Sequence, residues 1–374
     1  MKPRIVIAPD SFKGSLTAAA AAQAMQAGIR RYLPDADICC CPLADGGEGT
    51  LLALQAARGG ELLHFPVQDL AGRAIDAPAL LQGDLLLLES AQVAGLAQAA
   101  GCVPELRSSA GLGQLLRHGL ERGLRRFHIG LGGTGSNDGG VGMLAQLGLR
   151  LFDLAGNRIE PLPANLQRLH RADFSRLDRR LFGAELLVLS DVDAPLTGPR
   201  GATYVFGPQK GIAAQQLAQF DAALAHWAGL ADAWAGRPLA QQPGAGAAGG
   251  IGHALLLLGA RLVSGGRYVA GQHDLQRHIA AADWVLTGEG RSDMQTLGGK
   301  LPLVVAGLGL RSGVPVTLLS GAIERAALAQ LAPHFAGCFS PTLGPADEEG
   351  CKQHAAQWLA DMAEQLARLR WRNL

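Results

Sequence analysis

Short apolar runs alternate along this chain with longer segments in which apolar residues recur at helical spacing. The apolar runs are typical of strands that are buried on both faces, and the longer segments predict helices. The predicted strands cover 4–8, 38–42, 85–89, 127–131, 185–190, 284–287 and 314–319, with a short one near Cys338. The predicted helices cover 16–32, 51–57, 111–121, 212–230, 303–311 and 352–370, with one ending near Leu147 and one introduced by residues 242–252.

This alternation specifies a three-layer α/β architecture with largely parallel sheets. A chain of 374 residues is long enough for two domains of this kind. The regular pattern weakens after about residue 65 and returns near residue 265, and residues 153–183, which are rich in Arg, Asp and Pro, are expected to form a surface excursion. Within the first helix, Ser15 is the predicted N-cap.

Composition excludes several functional classes. The formal net charge is +1, so there is no electrostatic reason to expect a nucleic-acid or anionic-membrane surface. The first apolar run is too short for a signal peptide, and residues 254–260 are too short to span a bilayer. The six cysteines form no Cys-x-x-Cys pair, which favours a reduced compartment. We therefore expect a cytoplasmic globular protein.

Lysine is rare, and its positions indicate chemistry. Only five of the 33 basic residues are lysines, and Lys13, Lys210 and Lys300 lie in glycine-rich loops. A compact ammonium is a point charge that phosphate chemistry often needs and that the planar guanidinium does not reproduce. The alternative is drift in a sequence that otherwise uses arginine.

Most predicted strands end in glycines and acidic residues. The acids are Asp10, Asp45, Glu48, Asp138, Asp191, Asp193, Glu289 and Asp293. Ligands of open parallel sheets bind at this edge, where glycine N–H groups and helix N-termini can approach an anion. Carboxylates do not hold phosphate directly and need a bridging Mg²⁺, a cationic side chain or a substrate hydroxyl. The combination indicates phosphoryl transfer, although any single acid could instead cap a helix, Asp138 first among them.

Several familiar motifs are absent from the sequence. There is no Gly-x-x-x-x-Gly-Lys-Ser/Thr loop and no Gly-x-Ser-x-Gly elbow, and residues 130–135 match the dinucleotide fingerprint poorly. None of the ten histidines falls in the strand-end loops. Acid–base chemistry would therefore use carboxylates or lysines, and a dehydrogenase is disfavoured.

Eight ordered blocks together resemble the bacterial-type glycerate kinase family (type 1, the D-glycerate 2-kinases) over essentially the whole chain. The blocks are residues 7–13, 44–50, 132–140, 190–192, 195–196, 206–211, 243–250 and 287–291. The resemblance implies transfer of the ATP γ-phosphoryl group to D-glycerate with Mg²⁺, giving 2-phosphoglycerate. It also implies a discontinuous Rossmann/flavodoxin-like domain (1–65 plus 265–374), an inserted second α/β domain (66–264) and an active site in the cleft between them.

The resemblance also suggests roles for individual residues. Asp191 would accept the proton of the attacking hydroxyl, while Lys13 and Arg291 would neutralise charge on the substrate or the transferred group. The substrate-binding candidates are Asp10, Ser11, Asp45 and Lys210, and the metal-binding candidates are Asp45, Glu289 and Asp293. The candidates for binding ATP are Gly132, Gly133, Thr134, Gly135, Ser136, Asn137, Gly288, Gly290 and Lys300.

One segment departs most from the family pattern. Residues 108–114 read SSAGLGQ where the family has Thr-Ser-Arg-Gly-Thr-Gly-Glu, so Ala110, Leu112 and Gln114 replace Arg, Thr and Glu. An arginine could clamp a carboxylate in a bidentate pair, whereas an alanine cannot. Two smaller departures are Asp193-Ala194, where the family tends to have an uncharged residue followed by Asn, and Gly14, where it usually has Glu. Two alternatives therefore stay open: a kinase for another small hydroxy acid, and a non-catalytic sensor of an acid or nucleotide. The sequence also leaves open which hydroxyl is phosphorylated and whether the protein is a homodimer.

Overall fold

The computed structural model of the chain describes residues 2–294 and 296–372. Its strands are β1 Arg4–Ile7, β2 Asp37–Cys40, β3 Glu61–Gln68, β4 Ala74–Gln82, β5 Leu85–Glu89, β6 Arg126–Gly130, β7 Arg150–Phe152, β8 Arg158–Ile159, β9 Arg171–Asp173, β10 Glu185–Leu189, β11 Arg261–Val263, β12 Trp284–Ser292, β13 Val316–Ile323 and β14 Gly337–Phe339. Its α-helices are α1 Ala18–Tyr32, α2 Thr50–Arg58, α3 Ala91–Ala94, α4 Ala110–Glu121, α5 Val141–Gln146, α6 Ala202–Phe206, α7 Leu217–Ala235, α8 Ile251–Leu257, α9 Gly265–Gln272, α10 Leu275–Ala280, α11 Leu301–Ser312, α12 Arg325–Leu331, α13 Glu348–Gln353 and α14 Ala355–Arg370.

The chain divides into two compact units. Unit 1 comprises Met1–Asp45, Leu52–Gly59 and Gly266–Leu374, and unit 2 comprises Gly46–Leu51 and Gly60–Gly265. Helices alternate with strands in both units, and most neighbouring strand pairs of the described chain are parallel, so the prediction of an α/β fold with largely parallel sheets is confirmed.

Unit 1 contains a five-stranded sheet in which every neighbouring pair is parallel, in the order β14-β13-β12-β1-β2. Numbered along the unit's own chain, this is the order 2-1-3-4-5 of open doubly wound sheets, whose strand order reverses between β1 and β12. Ile5 pairs with both Trp284 and Ile38 at this central position. Residues 5–7 of β1 are buried, as expected for a central parallel strand.

Helices cover this sheet and complete its core. The core cluster includes Ile5, Ile7, Met25, Ile29, Trp284, Leu286, Leu359 and Leu366. α1 and α14 approach so closely that a Cβ at Gly28 would overlap the backbone of Ala360. The predicted cap of α1 is wrong: Thr17 is the N-cap, with Oγ1 accepting from Ala20 N at 3.1 Å, whereas Ser15 Oγ donates to Lys352 O at 2.8 Å.

Unit 2 contains a six-stranded sheet in the order β11-β10-β6-β5-β4-β3. β11, β10, β6 and β5 are parallel, whereas β4 is antiparallel to both β5 and β3. The β3–β4 hairpin was not predicted, because it is partly exposed and Pro66 and Pro78 interrupt it. A separate antiparallel sheet, β8-β7-β9, lies mostly within the predicted surface excursion. Among the described residues, no helix combines the length and the apolar character needed to cross a bilayer.

β12 is longer than the sequence predicts, and this changes the setting of the site. The prediction ended the strand at residue 287, but its parallel pairing with β13 continues through Glu289↔Ser320 and Arg291↔Ala322 to Ser292. Glu289 and Arg291 therefore belong to a strand rather than to a loop.

Candidate active site

A cavity of about 550 Å³ opens in unit 1 at the carboxyl ends of β1, β12 and β13. It lies at the point where the strand order reverses, which is the usual ligand position in such sheets. Nine residues singled out in the sequence line it: Asp10, Ser11, Lys13, Asp45, Glu289, Gly290, Arg291, Asp293 and Lys300. The other lining residues are Phe12, Ser15, Gly321, Ala322, Ala346, Glu348, Cys351, Lys352 and Ala355.

Glycines in the sheet let the loop after β1 lie close to it. Asp10 N donates to Gly288 O at 2.8 Å, which continues the contact between β1 and β12 beyond the end of β1. The buried Phe12 ring lies against Gly288 and Gly321, and Gly290 faces the backbone of Phe12. A Cβ at Gly288 would overlap the carbonyl oxygen of Leu319. Packing therefore accounts for Gly288, which does not line the cavity.

Gly288→Ala should lower the free energy of unfolding by about 3 kcal/mol, because the added methyl group overlaps backbone that cannot move aside cheaply. The matched control is Gly307→Ala in the middle of α11, where the nearest atom to an added Cβ is the end of the Arg311 side chain at 3.7 Å. That variant should be stabilised by about 0.5–1 kcal/mol, since alanine favours the helix. Urea unfolding of both variants tests this; equal stabilities would contradict the packing argument.

Asp10 and Asp45 form the acidic centre of the cavity. Burial, together with the negative charge of Asp45, raises the pKa of Asp10 to about 8, and the Ser11 N–H and Lys13 oppose this shift only in part. The Ser11 N–H donates to Asp10 Oδ1 at 2.6 Å. A partly buried carboxyl whose pKa is raised to near neutrality is typical of ligand-binding and catalytic positions. A cation or a hydroxyl of a ligand would relieve the repulsion between the two acids.

Glu289 lies deeper and is 6% exposed. Its Oε1 accepts from Ser292 Oγ at 2.8 Å and from Thr296 Oγ1 at 2.7 Å. Burial raises the pKa of Glu289, while the two hydroxyl donors work in the opposite direction. The side chain is thus held in one orientation by donors that the sequence analysis did not identify.

Four cationic side chains line the cavity: Lys13, Arg291, Lys300 and Lys352. Lys300 Nζ lies 3.8 Å from Asp293 Oδ1, and Lys352 Nζ lies 2.6 Å from Glu348 Oε1. Lys352 was missed because it belongs to α13, outside any glycine-rich loop, and chain folding alone brings it to the site. Anionic and metal-bridged groups can therefore both be accommodated here.

The carboxylates fit a magnesium ion bound together with phosphate. No group of three or more His, Cys, Asp or Glu side chains within residues 2–294 and 296–372 is arranged as a metal cluster. Mg²⁺ does not need one, since it keeps several waters and is usually bound through one or two carboxylates and the substrate phosphates. Asp45, Glu289 and Asp293 all line the cavity and supply such oxygen ligands.

The remaining predicted site residues lie in unit 2. Gly132 to Asn137 follow β6 and Asp191 follows β10, at the same edge of two neighbouring parallel strands. Ser136 and Asn137 are buried, and within the described part of the chain neither Ser136 Oγ nor Asn137 Oδ1 has a hydrogen-bond partner. Buried polar atoms without partners are uncommon and call for an explanation, such as a bound ligand or water. Asp191 is exposed at the start of its loop.

Lys210 points inward in unit 2. Its ammonium donates to Ser136 O at 2.7 Å, the residue is 4% exposed, and burial lowers its pKa to about 8. The Arg107 guanidinium donates to Lys210 O and to Cys102 O, which braces the segment further. In this arrangement Lys210 supports the loop that carries Ser136, and its predicted contact with substrate stays a prediction.

Asp138 caps helices, which is the role that the sequence analysis offered as an alternative to ligand binding. Its carboxylate accepts from Ser109 N at 2.8 Å, Ser109 Oγ at 2.7 Å, Gly140 N at 3.0 Å and Gly142 N at 3.2 Å. It thereby joins the N-terminal ends of α4 and α5.

The segment that departs from the family pattern is packed into unit 2. It forms the start of α4, where Ala110 and Leu112 are buried and Leu112 belongs to the hydrophobic core. Gln114 Oε1 accepts from Gln68 N of β3 at 2.7 Å. These three side chains are therefore engaged in internal packing and hydrogen bonding.

The fold and the cavity define an α/β protein that handles small anionic ligands at the carboxyl edge of a parallel sheet. The chain belongs to the glycerate kinase family, whose sequence model matches residues 5–371. It is 40% identical over 369 residues to the glycerate kinase of Bacillus subtilis (strain 168), covering 97% of each chain. It is also 40% identical over 325 residues to the glycerate 2-kinase of Escherichia coli (strain K12), covering 86% of this chain and 85% of that protein.

A solved structure agrees with these relatives. The crystal structure assigned to glycerate kinase 2 of Salmonella typhimurium LT2 matches with a TM-score of 0.82 and 38% identity, covering 99% of this chain and 98% of that one. The family predicted from the eight sequence blocks is confirmed.

Proposed function

We propose that this protein is an ATP-dependent kinase that transfers the γ-phosphoryl group to D-glycerate and forms 2-phosphoglycerate. The observation that carries the proposal is the unit 1 cavity, where the acids Asp10 and Asp45 lie with Lys13 and Arg291 at the carboxyl edge of the sheet, in a member of the glycerate kinase family. The relatives named glycerate kinase and glycerate 2-kinase support this choice of substrate and product. ATP in turn favours the cytoplasm as the site of action.

Acids and cations of the cavity have complementary roles in this proposal. Asp45, Glu289 and Asp293 would hold Mg²⁺, which when bound neutralises charge on the phosphates. Lys13 and Arg291 would bind the substrate carboxylate or the transferred group, because both are exposed cations on the cavity wall. Asp10 and the Ser11 hydroxyl would bind hydroxyl groups of glycerate. Phosphoryl transfer needs little covalent help, so positioning and charge neutralisation supply most of the acceleration.

The candidates for binding the ATP phosphates belong to two glycine-containing segments. In unit 2, residues 132–137 offer backbone N–H groups together with Ser136 Oγ and Asn137 Oδ1, whose lack of partners among the described residues supports a ligand there. In unit 1, Gly290 and Lys300 are candidates because they line the cavity. Gly288 would act by letting the Asp10–Lys13 loop lie close to β12.

Asp191 is the proposed proton acceptor. A carboxylate at a strand end that is exposed can reach a substrate hydroxyl and take its proton as the oxygen attacks phosphorus.

The test is an ADP-release assay with D-glycerate, ATP and Mg²⁺, with the products resolved by phosphorus NMR. Glycerate-dependent ADP release with 2-phosphoglycerate as product is the expected result. Turnover with another hydroxy acid in a small acceptor panel, but not with D-glycerate, would reassign the acceptor. Nucleotide binding without turnover of any acceptor would overturn the kinase proposal in favour of a sensor.

A further inference from the structure

We propose that Thr296 is a positioning residue for the phosphoryl-transfer reaction: its hydroxyl holds the Glu289 carboxylate and fixes the segment that carries Asp293 and Lys300. The inference rests on the proposed function, since it assumes that Glu289 and Asp293 serve a divalent ion in the cavity. None of the sequence blocks that indicate the family includes Thr296, and its side chain does not line the cavity.

Thr296 belongs to a buried chain of hydroxyl groups behind the cavity. Glu289 Oε1 accepts from both Thr296 Oγ1 and Ser292 Oγ, at 2.7 and 2.8 Å. Ser292 Oγ also lies 2.6 Å from Ser320 Oγ on the neighbouring strand β13. Ser292, Thr296 and Ser320 are each 0% exposed. Protein hydroxyls therefore take the place of water around this carboxylate.

The same residue organises the backbone that follows β12. Thr296 Oγ1 accepts from Asp293 N at 3.1 Å, and Thr296 N donates to Asp293 O at 3.0 Å. Thr296 O accepts from Gly299 N and Lys300 N, both at 3.3 Å. These bonds connect Asp293, Thr296, Gly299 and Lys300 of the turn after β12, and Lys300 is the N-cap of α11. Thr296 thus connects the turn to the Glu289 side chain.

The functional consequence follows from what this turn carries. Asp293 and Lys300, at the two ends of the turn, both line the cavity, and Lys300 Nζ lies 3.8 Å from Asp293 Oδ1. Thr296 therefore connects the Glu289 carboxylate, which Ser292 Oγ also holds, to the backbone of an acid and a cation that would bind metal and phosphate. Partners that orient metal-binding carboxylates typically change metal affinity or activity by 10–100-fold when removed.

Thr296→Val tests the proposal, because valine keeps the branched shape and removes only the hydroxyl. Thr296→Ser restores the donor. Ser320→Ala is the matched control, since the Ser320 hydroxyl belongs to the same buried chain but contacts Ser292 Oγ and not the Glu289 carboxylate in the described structure. The readouts are the Mn²⁺ dissociation constant of the nucleotide-free protein, measured from the free Mn²⁺ signal in electron paramagnetic resonance, and kcat and KM for ATP in the ADP-release assay.

For Thr296→Val we expect Mn²⁺ binding to weaken by about 10–100-fold and kcat to fall in parallel. Thr296→Ser and Ser320→Ala should stay within about threefold of the wild type in both. Unchanged Mn²⁺ affinity in Thr296→Val, or a wild-type protein that binds no Mn²⁺, would overturn the proposal. An equal loss of Mn²⁺ affinity and kcat in Ser320→Ala would also overturn it, because the hydroxyl of Thr296 would then have a merely structural role. Wild-type protein that binds Mn²⁺ but turns over no acceptor would count against the proposed function alone.

Discussion

Asp191→Asn is expected to lower kcat by a factor of about 10² to 10⁴, the usual contribution of a positioned general base. Asparagine keeps the size of the side chain and its ability to accept a hydrogen bond, but it cannot take the hydroxyl proton. The affinity for ATP should stay nearly unchanged, because the role proposed for Asp191 concerns the acceptor. Steady-state ADP release gives kcat, and calorimetric titration with a non-hydrolysable ATP analogue gives the affinity.

Asp193→Asn is the control for this experiment. Asp193 is also exposed and lies in the same loop after β10, two residues from Asp191. Its replacement should change kcat by no more than about threefold. An Asp191→Asn enzyme with near wild-type turnover would remove Asp191 from the mechanism and direct attention to Asp10 as the base.

Asp10→Asn should stabilise the protein at pH 8 while impairing its activity. The pKa of Asp10 is raised to about 8 in the folded state, mainly by burial and then by Asp45, whereas an unfolded aspartate titrates near pH 4. A raised folded-state pKa contributes stability below the unfolded pKa, and that contribution is lost as the pH rises toward 8. The free energy of unfolding of the wild type therefore falls, relative to that of the asparagine variant, as the pH rises from about 4 to about 8, because asparagine does not titrate.

The difference in free energy of unfolding between Asp10→Asn and the wild type should grow by about 2–4 kcal/mol in favour of the variant between pH 5 and pH 8 in metal-free buffer. Asparagine Oδ1 can still accept from the Ser11 N–H, so the loop keeps that bond. Denaturant unfolding at the two pH values measures the gain, with the exposed Asp35→Asn as the reference variant. A gain that does not depend on pH would show that Asp10 is ionised in the folded protein throughout this range. The expected fall in kcat/KM would be a trade-off between stability and activity.

Much of unit 1 was predictable because its strands are central and parallel. β1, β12 and β13 are buried on both faces, so they appear in the sequence as continuous apolar runs. The end of β12 was not predictable in this way, since Gly288 and Gly290 are typical of a loop and their actual role is to admit Phe12. In unit 2 the β3–β4 hairpin was not predicted from the sequence, because it is partly exposed and contains prolines.

The site was predictable where chemistry follows directly from a strand end. Asp10, Asp45 and Glu289 were identified this way, and the cavity brings them together. The contributions of Lys352 and Thr296 depend on how α13 and the turn after β12 pack, which no local pattern records. For Lys210, the glycine-rich loop indicates a ligand-binding cation but does not show that its ammonium donates to Ser136 O, and its contact with substrate stays a prediction. Side-chain direction in loops is set by tertiary packing, which a motif does not specify.

The central position of β1 also determines the order in which the molecule can fold. Thr287 of β12 donates to Ala8 O across 279 residues of chain, and nearly all of unit 2 lies between them. During synthesis the β1–α1–β2 segment emerges first, but its sheet cannot be completed until β12 and β13 have been made. By then almost all of unit 2 has been synthesised. Closing so long a loop is also entropically slow. In pulsed hydrogen exchange, amides of β6 and β10 should gain protection before those of β1, and the unit 1 cavity should be the last part to form.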